Sequence, residues 1–340
     1  MNRRIMTLTV ALVPILVFGV LLAVVTVPFV SLGPGPTFNT LGTYDGKEVV
    51  DIEGTEIKQT SGNLNMTTVA QRDDLTLGQA LTLWMSGREQ LVPHDLVYPP
   101  EKSRDEVDKA NDAEFKKSED SAEYAALSYL HYAPAVNVAV VNDPGPAAGK
   151  LKAGDAIDAV DGTMVADLDQ FTSILKNTKP GQQVVIDYRR RNAPAGTTTI
   201  TLGSNPDRDY GFLGVSVQDA PWAPFTIDFN LANIGGPSAG LMFSLAVIDK
   251  LTTGDLNGSK FVAGTGTIDG DGKVGPIGGI THKMVAAQEA GATVFLVPAE
   301  NCDEARSGGD DGMELIKVDT LATAVEALKM VSAGGEPPRC

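Results

Sequence analysis

The sequence predicts an α+β protein: a single N-terminal transmembrane helix, a β-rich middle domain and a C-terminal α/β domain. Three observations carry this. An uncharged apolar run, Ile5 to Val30, opens the chain. Alternating apolar residues punctuated by Gly/Pro turns occupy residues 133–203. Beyond residue 204, apolar runs such as Leu241–Lys250 and Val294–Pro298 read as helix and strand.

The 340 residues suffice for two domains of ordinary size plus a membrane segment. Arg3 and Arg4 precede the apolar run, which is long enough to cross a ~30 Å hydrocarbon core. By the positive-inside rule the N-terminus is cytoplasmic and everything after about residue 32 lies outside. A cleaved signal peptide would end at a small-x-small site. Here Leu22-Ala23-Val24-Val25 runs on into further apolar residues. Residues 1–32 are therefore expected to be a cytoplasmic tip and a single-pass cell-membrane anchor.

Residues 33–132 form an N-terminal extracytoplasmic region on this reading. Gly33-Pro34-Gly35-Pro36 is a stiff exit from the membrane. Residues 48–52 and 65–69 alternate as strands do, and Thr76 to Met85 reads as a short helix. Residues 100–123 are charged and nearly free of large apolar groups, as in a solvated helix or a mobile linker.

Net charge is −16, which argues against a nucleic-acid partner and reads as solubility. His94, His131 and His282 are scattered without zinc-ligand spacing, so no metal site is expected. Cys302 and Cys340 form no C-x-x-C pair, and a bond between them is left open. The nearest string to a phosphate loop, Gly145 to Leu151, is one residue short and lacks the hydroxyl after its lysine. No cofactor is expected.

In residues 133–203, Val136, Val138 and Val140 alternate as a strand. Gly145-Pro146-Ala147-Ala148, Leu151-Lys152-Ala153-Gly154-Asp155 and Asp161-Gly162 follow in order, then a helix capped by Asp167. This order resembles a PDZ domain. The resemblance implies capture of an extended peptide at a sheet edge, with its terminal carboxylate in a backbone nest. The expected loop, Tyr132-Ala133-Pro134-Ala135, lacks the usual glycine, and Pro134 removes a donor. A spacer or gating role stays open.

In residues 204–340, Gly235-Gly236-Pro237-Ser238-Ala239-Gly240 precedes an apolar helix. Glycines admit a substrate backbone, and free N–H groups at a helix start suit an oxyanion. An ordinary N-cap would use serine in the same place. A nucleophilic serine needs a base, and no His–Asp pair is nearby. Lys283 lies at the start of a second helix of small residues, Met284 to Ala290. There, helix dipole and burial both disfavour the ammonium; a surface lysine is the plain alternative.

These residues resemble the proteolytic domain of the Lon family. The match runs through Gly236-Pro237-Ser238-Ala239-Gly240, Thr265-Gly266, Val274-Gly275-Pro276-Ile277-Gly278-Gly279-Ile280, Lys283, Val294 to Pro298 and Glu300-Asn301. The resemblance implies an endopeptidase with Ser238 as nucleophile, Lys283 as general base and Thr265 orienting the lysine. Gly236 and Ala239 would face the oxyanion and the substrate backbone. Gly235, Thr267 and Thr281 depart from the family pattern and leave the dyad intact. The arrangement resembles PDZ-containing, membrane-anchored Lon-like proteases that lack an ATPase. It implies unfolded or flexible envelope proteins as substrates, cut without ATP. Relatives tend to form rings, and nothing in this sequence shows whether this chain is a homo-oligomer. A non-catalytic PDZ-like scaffold and an amidase on the same dyad are the rival readings.

Overall fold

A computed structural model describes residues 3–232, 234–252, 254–309 and 312–340. The apolar N-terminal run does not stay helical to Val30. Helix α1 (Arg3–Val24) stops, and a strand, β1 (Phe29–Asn39), begins with Val30 fully buried in the core. Val25, Thr26 and Val27 are β-branched, which favours extended backbone, and Pro28 cannot continue a helix. Among the described residues no helix is long and apolar enough to cross a membrane. The transmembrane helix in the expected fold class is corrected accordingly. The expected single-pass, extracytoplasmic localisation rested on that span and falls with it. The side chains of Arg3 and Arg4, used to orient the anchor, lie outside the described residues.

The architecture is mixed α/β. The larger sheet contains β1, β2 (Asn63–Arg72), β3 (Gln90–Pro93) and three strands from the far end of the chain. The smaller sheet is made by β4 (Pro134–Val141), β5 (Ala156–Val160), β6 (Gln183–Arg189), β7 (Gly196–Thr201) and β8 (Val215–Pro221), in the order β7-β6-β5-β4-β8. The late strands of the larger sheet are β9 (Phe261–Gly264), β10 (Val294–Pro298) and β11 (Glu314–Val318), giving the order β11-β10-β9-β2-β1-β3. Strand β9 runs parallel to β2, with Met66 opposite Gly264. Residues 33–132 are thus hydrogen-bonded into the sheet of the C-terminal residues rather than standing apart.

The charged stretch 100–123 is not a linker: it is helical from Arg104, solvated as far as Glu114 apart from half-buried Val107 and Asn111, and buried on one face from Phe115. It lies within one long helix, following α2 (Leu77–Ser86): α3 (Arg104–Tyr129). Ser103 and Glu106 form a capping box that starts α3. Its buried residues are Phe115, Ser118, Ala122, Ala125, Ala126 and Leu127, with the carboxylate residues Glu119 and Glu123 beside them. That face packs on helix α5 (Gly240–Leu251), which comes after α4 (Leu168–Lys176) and is buried from Gly240 through Lys250. A helix so largely apolar belongs inside a core. Helices α6 (Ile280–Ala290) and α7 (Leu321–Ser332) complete the packing around the larger sheet.

The smaller sheet has its own core, including Val136, Ile157, Phe171, Val184, Ile186 and Ile200. Asp167 caps α4, accepting from the Gln170 N–H at 2.8 Å. Strand β8 lies beyond residue 203, where the sequence reading ended the unit, and forms the edge of its sheet. Cys302 and Cys340 are joined by a disulfide.

Replacing Ser103 by alanine removes the α3 cap. It should lower unfolding stability by ~1 kcal/mol, read as a shift in denaturant midpoint at unchanged slope.

Candidate active site

Two loops and one strand end meet at the mouth of α5. The first loop is Gly235-Gly236-Pro237-Ser238. Gly236 sits at φ 85°, a conformation that strains any residue with a Cβ. Its N–H donates to the Asn111 carbonyl at 3.0 Å, so this predicted oxyanion donor is already committed to α3. The Pro237 carbonyl accepts from Ser118 Oγ at 3.0 Å. The Ser238 carbonyl accepts from the Gly266 N–H at 3.0 Å and from Thr265 Oγ1 at 3.1 Å. Helix α5 is capped at Ala239, with no side-chain cap bond. Ser238 is therefore not an ordinary N-cap; its hydroxyl is free to face the second loop.

The second loop is Pro276-Ile277-Gly278-Gly279. Asn301 grips both backbone groups of Ile277, accepting its N–H at 2.9 Å and donating to its carbonyl at 2.9 Å. Gly279 caps α6 at φ 69°, where a Cβ would also meet Val69 Cγ2 at 2.9 Å. Helix α6 begins at Ile280, earlier than Met284, so Lys283 belongs to its first turn.

Lys283 Nζ lies 2.7 Å from Ser238 Oγ and 2.9 Å from Thr265 Oγ1. The lysine is 3% exposed and Thr265 is fully buried, while Ser238 is half-buried. Burial pushes the lysine amine down from 10.5 to about 7. Among the described residues no carboxylate pairs with it to hold the charged form. An amine of this kind is half unprotonated at neutral pH and can take a proton from a hydroxyl it touches.

A cleft of about 720 Å³ opens over the pair. Phe38, Met66, Phe115 and Ile234 give it apolar walls, and Ser238, Ala239, Gly236 and Lys283 all line it. Thr265 stands behind the lysine rather than on the cleft surface. The sequence places Asn301 in the family match without a role, and it does not point to Asn111, Ser118 or the apolar walls. The only local signal was the Ser103-to-Glu106 box, which marks α3 as an ordered helix and so gives its small residues a face to bury.

Residues 233–331 match the family model of the Lon protease (S16) C-terminal proteolytic domain. This part of the chain is a Lon-type serine peptidase domain. Residues 113–201 match the PDZ domain model. The Lon-type domain is similar to the Lon protease of Roseiflexus castenholzii, 38% identical over 96 residues, which is 28% of this chain and 12% of that protein. It is similar also to the Lon protease of Campylobacter jejuni, 39% identical over 95 residues, 27% of this chain and 12% of that one. The match thus spans about an eighth of the length of these relatives. Among solved structures, the PDZ domain of an SdrC-like protein from Listeria monocytogenes is 28% identical, covering 24% of this chain and 86% of that one, with a TM-score of 0.23.

The buried amine has a stability consequence. Its folded pKa of about 7 lies below the 10.5 of the unfolded chain, so the unfolded state binds the extra proton between those values. Stability contributed by this group therefore rises as pH climbs from about 7 to 10.5, and the full cost of burial is present below 7. Lys283→Met should be more stable than the native chain at pH 6, by chemical denaturation, and this advantage should shrink at pH 10.

Proposed function

We propose that the chain is a serine endopeptidase working through a Ser238–Lys283 dyad. The reading rests on the 2.7 Å approach of an uncompensated, buried amine to the Ser238 hydroxyl at the floor of an open cleft. Neutral Lys283 takes the Ser238 proton as Oγ attacks the scissile carbonyl. Backbone N–H groups at the start of α5, with Ala239 as the predicted donor, stabilise the oxyanion. Lys283 returns the proton to the leaving amine, and water then releases the acyl-enzyme. Thr265 orients the amine: it accepts a hydrogen bond from Nζ while donating to the Ser238 carbonyl.

The substrate is an extended, unfolded or flexible stretch of polypeptide, since only such a chain enters the cleft. Its walls of Phe38, Met66, Phe115 and Ile234 favour an apolar side chain beside the scissile bond. Acyl transfer by this dyad draws on no nucleotide. The PDZ sheet supports peptide recruitment at the outer edge of β8, its terminal strand, rather than at the 132–135 loop.

A serine-directed fluorophosphonate separates this enzyme from a non-catalytic scaffold. The native chain should be labelled and Ser238→Ala should not. No labelling of the native chain from pH 6 to 9 would remove the dyad from consideration. Casein cleavage should rise with pH through about 7 and then level off, following the fraction of unprotonated Lys283. Lys283→Arg should lose at least ~10²–10⁴-fold, because arginine does not deprotonate. A peptide library should show cuts next to Leu, Phe or Met in preference to Asp or Glu; faster cleavage of small amides than of casein would favour an amidase.

A further inference from the structure

Ser118 is a polar residue on α3, 4% exposed, and it lies far in sequence from the nucleophile. Its hydroxyl donates to the Pro237 carbonyl at 3.0 Å. That carbonyl belongs to the peptide unit whose nitrogen is the amide of Ser238. In a trans peptide the C=O and N–H point in opposite directions within one plane. A Pro237 carbonyl drawn towards α3 therefore turns the Ser238 N–H away from α3. This amide meets no acceptor among the described residues, and its residue lines the cleft.

Three features make the Ser118 contact a built one. Gly236 is tied to the same helix through its N–H and the Asn111 carbonyl at 3.0 Å, so both sides of Pro237 are anchored. Gly240 gives Ser118 room, because a Cβ there would meet Ser118 Oγ at 3.0 Å and Ile268 Cγ2 at 2.8 Å. One turn further on, Ser244 Oγ donates to the Ala122 carbonyl at 3.2 Å, which fixes α3 against α5 at a second point. On the far side, Thr265 and Gly266 hold the Ser238 carbonyl. The two peptide units flanking the nucleophile are thus each clamped by a separate element.

We propose that Ser118 is a positioning residue: it sets the Pro237–Ser238 peptide plane so that the Ser238 amide is presented to the oxyanion. The inference rests on the dyad reading given above and adds to it a specific donor and the residue that aims it. Ser118 touches neither substrate nor reacting atoms. Its effect should therefore appear where charge develops on the substrate oxygen and not in ground-state binding.

The test uses the full chain with a fluorogenic peptide and a peptide boronate, whose tetrahedral adduct with Ser238 places an oxygen in the oxyanion position. For Ser118→Ala, kcat should fall by about 10–100-fold, somewhat less than outright loss of an oxyanion donor, with KM within about twofold of native. Boronate affinity should fall by the same factor as kcat/KM. Ser118→Cys, whose thiol is a weaker donor, should be intermediate on both measures. Melting temperature reports folding; should Ser118→Ala not fold, Ser118→Cys is read in the same way. Native kcat in a folded Ser118→Ala, or a loss of kcat with unchanged boronate affinity, would overturn the proposal while leaving the dyad intact. A native chain that neither cleaves the peptide nor binds the boronate would overturn the dyad reading and this inference with it.

Discussion

An uncharged amine has to sit against a hydroxyl with no carboxylate to hold its proton, and most of this architecture serves that constraint. Burial alone brings Lys283 to about 7, so anything that lets water or a negative charge reach it undoes the site. The seal comes from distant parts of the chain. Helix α6, which carries Lys283, packs on β1 and β2 from the N-terminal region. Val69 of β2 closes on Gly279 at the helix start. Strands β1 and β2 therefore help to seal the candidate site, although they lie outside residues 233–331.

Ser238 is held by a different set of contacts. Loop 235–238 would be free to reorient on glycine alone, and a freely moving serine gains little from a nearby base. Carbonyl and amide groups of that loop are instead spent on α3 and on the Thr265-Gly266 strand end. The committed amide of Gly236 shows the cost of this arrangement. A group that looked available for substrate in the sequence is used to fix the loop.

Much of the site was legible because its chemistry is local. Ser238 between glycines, Lys283 at a helix start and Thr265 before a glycine fall in ordered blocks, and the fold brings all three within hydrogen-bond reach. The Asp269-Gly270-Asp271-Gly272 turn is local in the same way and links Thr267–Ile268 to Val274–Gly275. Long-range pairing was not legible. Alternation in residues 65–69 announces a strand, but nothing local says that its parallel partner starts at Phe261. Charge density hid α3's buried face, because Glu, Lys and Asp between the alanines dominate any average along the segment. The apolar opening misled for the opposite reason. An unbroken run of apolar side chains does not reveal that Val25 to Val27 and Pro28 favour extended chain. A helix ending at Val24 and a strand starting at Phe29 therefore looked like one span.

The smaller sheet leaves and rejoins the larger unit at a single doorway. Pro134 pairs with Pro221 at the ends of β4 and β8, and the Trp222 N–H donates to the Ala133 carbonyl at 3.1 Å. Departure and return are thus one strand spacing apart, the geometry that lets a module be spliced into a host fold without tearing it. The PDZ module is a cassette in this sense. A tight turn bridging Ala133 and Trp222 would excise it while the hydrogen-bond ladder of the host stays whole, and a different module with adjacent termini could occupy the same slot.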